Sequence, residues 1–251
     1  MKLRRLRNIW NSIWRRSDTV GDGQCFECPI CNYCGPFRHM SPRTGKRLHA
    51  QCPSCGSLER HRLQMLVLLR IEEEARLGTK RILHCAPEPF LHAWFREHAA
   101  GCETADLALA SVDHRVDLTN LPFADASFDV VFASHVMEHI RNDEQAISEV
   151  HRIPLPGGLA ILPVPVVAPF TIEYPRPNPH ESGHVRAPGP DYFDRYRKLF
   201  KRVDLYDCSQ FPDKYQTWTL EDRTAPNPKI MPWRPPMQGD RHLDYVPVCW
   251  K

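Results

Sequence analysis

The chain has 251 residues, 42% of them apolar and 25% charged, with a formal net charge of +3. That composition can bury a sizeable core, which excludes disorder throughout and allows one large domain with a small appendage. No apolar run approaches the roughly 20 residues of a membrane-spanning helix, and the charged N-terminus lacks the apolar stretch of a cleaved secretory signal.

Charge is uneven along the chain. Lys2, Arg4, Arg5, Arg7, Arg15 and Arg16 precede the first acid, and without these six cations the balance falls from +3 to −3. The body is therefore mildly acidic, which argues against a broad phosphate-binding face. Residues 1–16 read as a basic amphipathic helix, with Leu6, Ile9, Trp10, Ile13 and Trp14 on one side. Two readings stand open for residues 1–20: contact with an anionic membrane or nucleic acid, or packing on protein.

Six of the ten cysteines fall between Cys25 and Cys55. Two C-P-x-C units, Cys28–Cys31 and Cys52–Cys55, are separated by 20 residues. Each turn aims two sulfurs at one point, so two turns supply four thiolates for a tetrahedral Zn²⁺. Residues 21–56 are thus expected to be a zinc ribbon with Cys28, Cys31, Cys52 and Cys55 as ligands. Cys34 in place of Cys28 is the main alternative, and Cys25 reads as a spectator. Metal sites of this kind staple segments too small to form their own core.

Residues 57–79 read as a connecting segment whose helix starts at a Ser57 cap and runs to about Ala75, with Leu63, Leu66, Val67 and Leu69–Ile71 buried. From Lys80 the pattern changes to alternating strands and helices. Arg81–Cys85, Glu103–Leu107, Val112–Asp117, Phe128–Ala133 and Leu159–Val167 read as strands. Pro89–Ala99 and Asp143–Ile153 read as helices, the second capped by Asn142 and ended by Pro156-Gly157-Gly158. The run Phe128–Ala133 is apolar on both faces, as a central parallel strand requires. The alternation predicts an α/β, doubly wound, mostly parallel sheet over residues 80–251.

Seventeen of the 24 prolines lie between Pro154 and Pro247. Residues 168–190 read as an irregular insertion able to act as a lid. Tyr192–Phe200 reads as a helix, 211–244 as mostly coil, and Arg202–Tyr206 and Tyr245–Cys249 as closing antiparallel strands.

Residues 82–165 resemble the class I S-adenosylmethionine-dependent methyltransferases, the branch with the type 11 methyltransferase domain. The resemblance rests on ILHCAPEPF, TADL, VDLTNLPFADASFDVVFASHVMEHI and EVHRIPLPGGLAILPVP. CPIC…CPSCGSLERHR resembles the zinc-ribbon extension of a bacterial subgroup. A Rossmann-like methyltransferase sheet is the fold this implies, with S-adenosyl-L-methionine as cofactor. It places the cofactor against His84, Ala86 and Glu88 in the first loop, Asp106 and Leu107 after the second strand, Asp117 and Leu118 after the third, and Ser134 after the fourth. Asp106, 20 residues beyond Ala86, is the expected ribose acceptor. The loop departs from the family by having no glycine, and a methyl group at Ala86 is tolerable where φ stays negative.

Methyl transfer from a sulfonium is an in-line displacement, and an oxygen or nitrogen acceptor also needs a base. His135, His184 and Glu138 are the candidates, and His139 reads as structural. A small molecule or glycan precursor is the expected acceptor. The runner-up is a zinc-ribbon RNA-binding or RNA-modifying protein, with Arg60, His61 and Arg62 beside the second cysteine pair. The third reading is a non-catalytic interaction protein. Cysteines of this kind without a secretion signal suggest a reducing cytoplasm, with the basic tail as a means of holding the inner membrane face.

Overall fold

The computed structural model describes residues 23–251, so the expected basic helix 1–16 lies outside the described residues. Among the described residues no helix is long and apolar enough to cross a membrane.

The strands of the main sheet are β5 (Arg81–Cys85), β6 (Gly101–Asp106), β7 (His114–Arg115), β8 (Phe128–Ala133), β9 (Pro154–Ile161), β12 (Arg202–Asp207) and β15 (Tyr245–Trp250). They lie in the spatial order β12-β15-β9-β8-β5-β6-β7. The five central and outer strands β9, β8, β5, β6 and β7 pair in parallel. β15 runs antiparallel to both β9 and β12, so β12 points with the parallel set. Of the two closing strands expected to be antiparallel, only β15 therefore opposes the rest. Order reverses between β5 and β8, and connections leave that point on opposite faces, which opens a crevice at the carboxyl ends.

Among the described residues four helices flank the sheet: α1 (Glu59–Ala75), α2 (Pro89–His98), α3 (Asp143–Arg152) and the short α4 (Asp194–Arg197). α2 starts with Pro89, whose fixed φ suits a first turn. α3 carries Asp143 and Glu144 in its first turn and His151 and Arg152 in its last, matching the helix dipole. Asn142 holds the N-cap position of α3 without a side-chain cap bond. Leu63, Val67, Leu68, Leu91 and Phe95 from α1 and α2 bury one face of the sheet against Ile82, Val130 and Phe132. Ala146, Ile147, Val150, Tyr192, Phe193 and Tyr196 cover the other against Leu83 and Val131. The expected helix Tyr192–Phe200 is a 3₁₀ turn followed by four α-helical residues.

Pro156-Gly157-Gly158 does not precede a strand but lies inside β9, where the register with β8 shifts. A Cβ on Gly158 would stand 2.6 Å from the Asp129 carbonyl oxygen, so only glycine fits this bulge.

The cysteine region opens with the antiparallel pair β1 (Phe26–Glu27) and β2 (Cys34–Gly35) and is not free-standing. β3 (Arg38–Met40) and β4 (Arg47–Gln51) join β13 (Thr219–Glu221) and β14 (Arg241–His242) in one antiparallel sheet of order β14-β13-β4-β3. Part of the segment expected to be coil thus supplies two strands, kept to two and three residues by the prolines between them. Arg62 of α1 pins the junction. It is fully buried, donates to the carbonyls of Ala50, Ser57, Tyr215 and Gln216, and lies 4.5 Å over the Phe37 ring.

The insertion 168–190 folds as a hairpin, β10 (Ile172–Asn178) with β11 (His184–Ala187). Buried Arg186 anchors it by donating to the carbonyls of Met137, Ile140 and Arg141.

Candidate functional site

At the carboxyl ends of β5 and β8 lies a cavity of about 900 Å³. Ala86, Pro87 and Glu88 line it from the first loop, Ser134, His135, Glu138 and His139 from the segment after β8, and His180 and His184 from the insertion. Both strand ends turn sharply into it. Ala86 has φ +48° and His135 has φ +54°. The expectation of a negative φ at Ala86 is therefore corrected. The chain holds the left-handed turn that glycine usually serves, and the alanine methyl costs on the order of 1 kcal/mol there. The Ala86 N–H donates to Ala105 O across the top of β5 and β6, which holds the turn in place.

Glu88 is 7% exposed and is drawn toward α1. His61 Nε2 lies 2.8 Å from its Oε1, and Arg60 Nε and Nη2 approach the same oxygen at 3.4 Å. His61 Nδ1 accepts the N–H of Leu58, so the ring is the neutral tautomer that donates from Nε2. Burial agrees, pushing His61 down to about 4. Burial raises Glu88, but His61 and Arg60 outweigh it and hold the carboxyl well below its ordinary range. Three residues beyond His61 along α1's inner side, Gln64 Nε2 donates to Ser134 Oγ at 2.8 Å. One helix thus fixes both walls of the crevice.

These α1 groups are what the sequence reading missed. The run Arg60-His61-Arg62, expected to face RNA, turns inward instead. Arg62 and His61 are buried and Arg60 is paired with Glu88. The available signal was two polar residues, His61 and Gln64, three apart within an otherwise apolar helix face.

Asp106 ends β6 as expected, half-buried, with Oδ1 accepting the N–H groups of Ala108 and Leu109. Its Oδ2 makes no hydrogen bond among the described residues and is free to accept. Leu107 is 64% exposed, and Leu109 lines the cavity in its stead. Asp117 is exposed and accepts from Thr119, whereas Leu118 is buried beside it. His84 is placed differently from the expectation. Its imidazole is fully buried, edge-on to Phe95 and Phe132 under α2, because alternate β5 side chains face opposite sides of the sheet. Neither of its nitrogens has a hydrogen-bond partner, and burial pushes it down to about 3.

The three acid–base candidates come together. His135 Nδ1 is 3.3 Å and His184 Nε2 is 4.0 Å from Glu138 Oε1. Glu138 is 1% exposed. Burial raises its carboxyl, but His135, His184 and His139 outweigh that and leave it lowered. Burial pushes His184 down to about 4, so it is neutral near pH 7. His139, expected to be structural, is exposed and sets its ring edge-on to His184 at 4.7 Å.

Cys28, Cys31, Cys52 and Cys55 converge, with all four sulfurs within 4.8 Å of one another. Cys28–Cys55 and Cys31–Cys52 are 3.7 Å apart. A tetrahedral ion with ligands about 2.3 Å away separates its sulfurs by about 3.8 Å, so the set fits Zn²⁺. The two turns repeat each other. Asn32 N donates to Cys28 O and Gly56 N to Cys52 O, both at 2.9 Å, and both donor residues have positive φ. Cys28 N and Cys52 N donate in the same way to Tyr33 O and Ser57 O. Cys25 and Cys34 are exposed and outside the cluster. Ser57 is not the helix cap that was expected. Leu58 takes that position, and the Ser57 hydroxyl lies 3.1 Å from Cys55 Sγ and 3.4 Å from Cys28 Sγ.

Residues 75–162 match the family model of a methyltransferase domain. The chain is 44% identical over 57 residues to an uncharacterized methyltransferase of Mycobacterium sp. (strain KMS), covering 22% of this chain and 23% of that protein. It is 42% identical over 74 residues to one from Mycolicibacterium vanbaalenii, covering 29% and 28%. The chain thus matches only about a quarter of the length of these curated relatives. A solved structure from Burkholderia thailandensis aligns with TM-score 0.51 and 14% identity over 77% of this chain and 78% of that one. That protein is a 1,6-didemethyltoxoflavin-N1-methyltransferase with bound substrate and S-adenosylhomocysteine. At this identity the alignment shows the fold, and residues 75–162 carry the methyltransferase-type part of it.

Proposed function

We propose that the protein is an S-adenosylmethionine-dependent methyltransferase acting on a small-molecule or glycan-precursor acceptor. One observation carries this reading. The stretch matching a methyltransferase domain ends its strands at the switch-point cavity, with the free Oδ2 of Asp106 at the neighbouring strand end. About 900 Å³ lies near the upper end of small-molecule sites, room enough for a cofactor and a small acceptor together.

S-adenosylmethionine would supply an electrophilic methyl group. Asp106 would accept the ribose hydroxyls, Leu118 would pack on the adenine, and Ala86 and Glu88 would flank the amino-acid end. The carboxylate of Glu88 suits a cationic ligand, and its hold by His61 and Arg60 fixes the loop before the ligand arrives. His135 is the proposed proton acceptor. Its Nδ1 faces Glu138, and its buried Nε2 lacks a partner. Glu138 and His184 would support it electrostatically.

The cysteine cluster is proposed to hold structural zinc. Its last cysteine, Cys55, lies four residues before the start of the helix that carries His61 and Gln64, so it would set the crevice rather than take part in chemistry.

Calorimetry with S-adenosylhomocysteine tests the reading. Wild type should bind, and Asp106→Asn, which keeps an oxygen for the Ala108 and Leu109 N–H groups, should bind about tenfold more weakly with unchanged thermal stability, as expected for loss of one or two hydrogen bonds to a carboxylate. No heat with the folded wild-type protein at millimolar ligand would refute cofactor binding.

A further inference from the structure

We propose that the inner end of the cleft, beneath the β10–β11 hairpin, is a second metal site, in which Glu138, His139 and His184 bind a divalent first-row transition ion. The three donor groups come from two segments about 45 residues apart in sequence, yet their ligand atoms lie within 4.8 Å of one another. A carboxylate and two imidazoles are a donor set that suits Zn²⁺, Fe²⁺ or Co²⁺, and three protein ligands leave a coordination position open to the cavity.

Glu138 supplies the independent observation. Its side chain is 1% exposed, and neither carboxylate oxygen has a hydrogen-bond partner. A buried carboxylate left in this state is costly unless a cation faces it. No arginine or lysine does so among the described residues. Arg186, which passes nearby, spends its donors on Met137, Ile140 and Arg141 carbonyls and on Glu173. Arg234 pairs with Glu181. Only imidazoles surround Glu138: His135 at 3.3 Å and His184 at 4.0 Å. His184 Nδ1 and His135 Nε2 are themselves buried without partners.

The frame around the cluster is rigid. Arg186 donates to the carbonyls of Met137 and Ile140 on either side of Glu138 and His139. That residue sits two positions after His184 on β11, so the same guanidinium fixes both segments that carry the donors. His135 and His184 both face Glu138 Oε1, and Oε2 is buried with no partner at all, so the carboxylate has an oxygen to give to an ion. The site stands on the cleft geometry. Only its purpose, holding an acceptor oxygen near the methyl donor, rests on the methyltransferase reading.

The test is spectroscopic. Full-length protein with its cysteine cluster filled with zinc is titrated with Co²⁺. One further equivalent should bind and give a visible band without thiolate-to-metal charge transfer. Glu138→Gln and His184→Ala should each weaken that binding at least about tenfold while keeping the far-ultraviolet dichroism and bound zinc of wild type. Absence of the band with excess Co²⁺, or its survival unchanged in both variants, overturns the proposal. S-adenosylhomocysteine affinity is measured on the same samples, so failure of the metal site is distinguished from failure of cofactor binding.

Discussion

The cysteine cluster and the switch-point cleft are built in opposite ways. The cluster comes from two copies of one local turn, each with the same hydrogen bonds from the residues that follow it. Its four sulfurs are placed by short-range geometry, and the intervening strands need only bring the turns together. The cleft comes from α1, the ends of β5 and β8, and the insertion hairpin. Beyond the local pair of His135 with Glu138, its side chains meet partners distant in sequence. His61 acquires its role from Glu88, 27 residues on, and Gln64 from Ser134, 70 residues on. Local sites can thus form early and be read from spacing, whereas distributed ones exist only once the sheet is complete.

The contrast predicts that damage should pass from the cluster to the cleft but not back. The largest effect is expected from Cys52→Ser. Loss of a ligand should remove the metal and much of the order of β3, β4 and the start of α1, with a fall in melting temperature of about 10 °C or more. Because α1 holds Glu88 and Ser134, affinity for S-adenosylhomocysteine should fall with it. Differential scanning calorimetry, metal analysis and ligand titration read the three changes. Cofactor affinity unchanged after loss of the metal would break the proposed coupling. Asp106→Asn is the converse case: it keeps the acceptor for Ala108 and Leu109 and is expected to weaken cofactor binding while leaving metal content and melting temperature alone.

A smaller effect concerns pH. His84 is buried without a hydrogen-bond partner, with its pKa pushed from 6.5 down to about 3. A depressed folded pKa means its contribution is fully present above about pH 6.5 and is lost progressively as pH falls toward 3. His84→Phe should therefore gain relative to wild type by up to about 3 kcal/mol between pH 7 and pH 4, read from urea midpoints at each pH. An unchanged difference would mean that His84 titrates normally. This residue belongs to the core and not to the cleft, so cofactor affinity at pH 7 should not move.

The smallest effect is at Ala86. With φ at +48°, Ala86→Gly should relieve strain and raise stability by less than about 1 kcal/mol, because the added freedom of the unfolded chain offsets part of the relief. A lower stability would show that the methyl group packs usefully against the crevice wall. Cofactor affinity should hold or rise, since removing the methyl opens the first loop.

The sequence by itself determined the alternation of elements and the two converging cysteine turns. Phe128–Ala133 is a strand over the same residues in both readings, because a short apolar run between turns has few other ways to bury itself. Cys28, Cys31, Cys52 and Cys55 were legible because C-x₂-C geometry is local. Asp106 was legible by its place at a strand end, since strand ends at a switch point face the crevice. His84 was not, because residues on one strand alternate between faces and no short pattern says which face the ligand takes. Arg60 and His61 read as part of a basic run, with Arg62, beside the second cysteine pair, and Gln64 carried no reading of its own. Only the docking of α1 over β5 and β8 turned them into the wall of the site. The pairing of β13 with β4, through residues 172 and 174 apart, and the approach of His184 to Glu138 under Arg186 likewise had no local signal. Tertiary structure decided these because side-chain partners across a sheet are chosen by packing and by the need to satisfy buried charge, and both act over distances in space that sequence separation does not record.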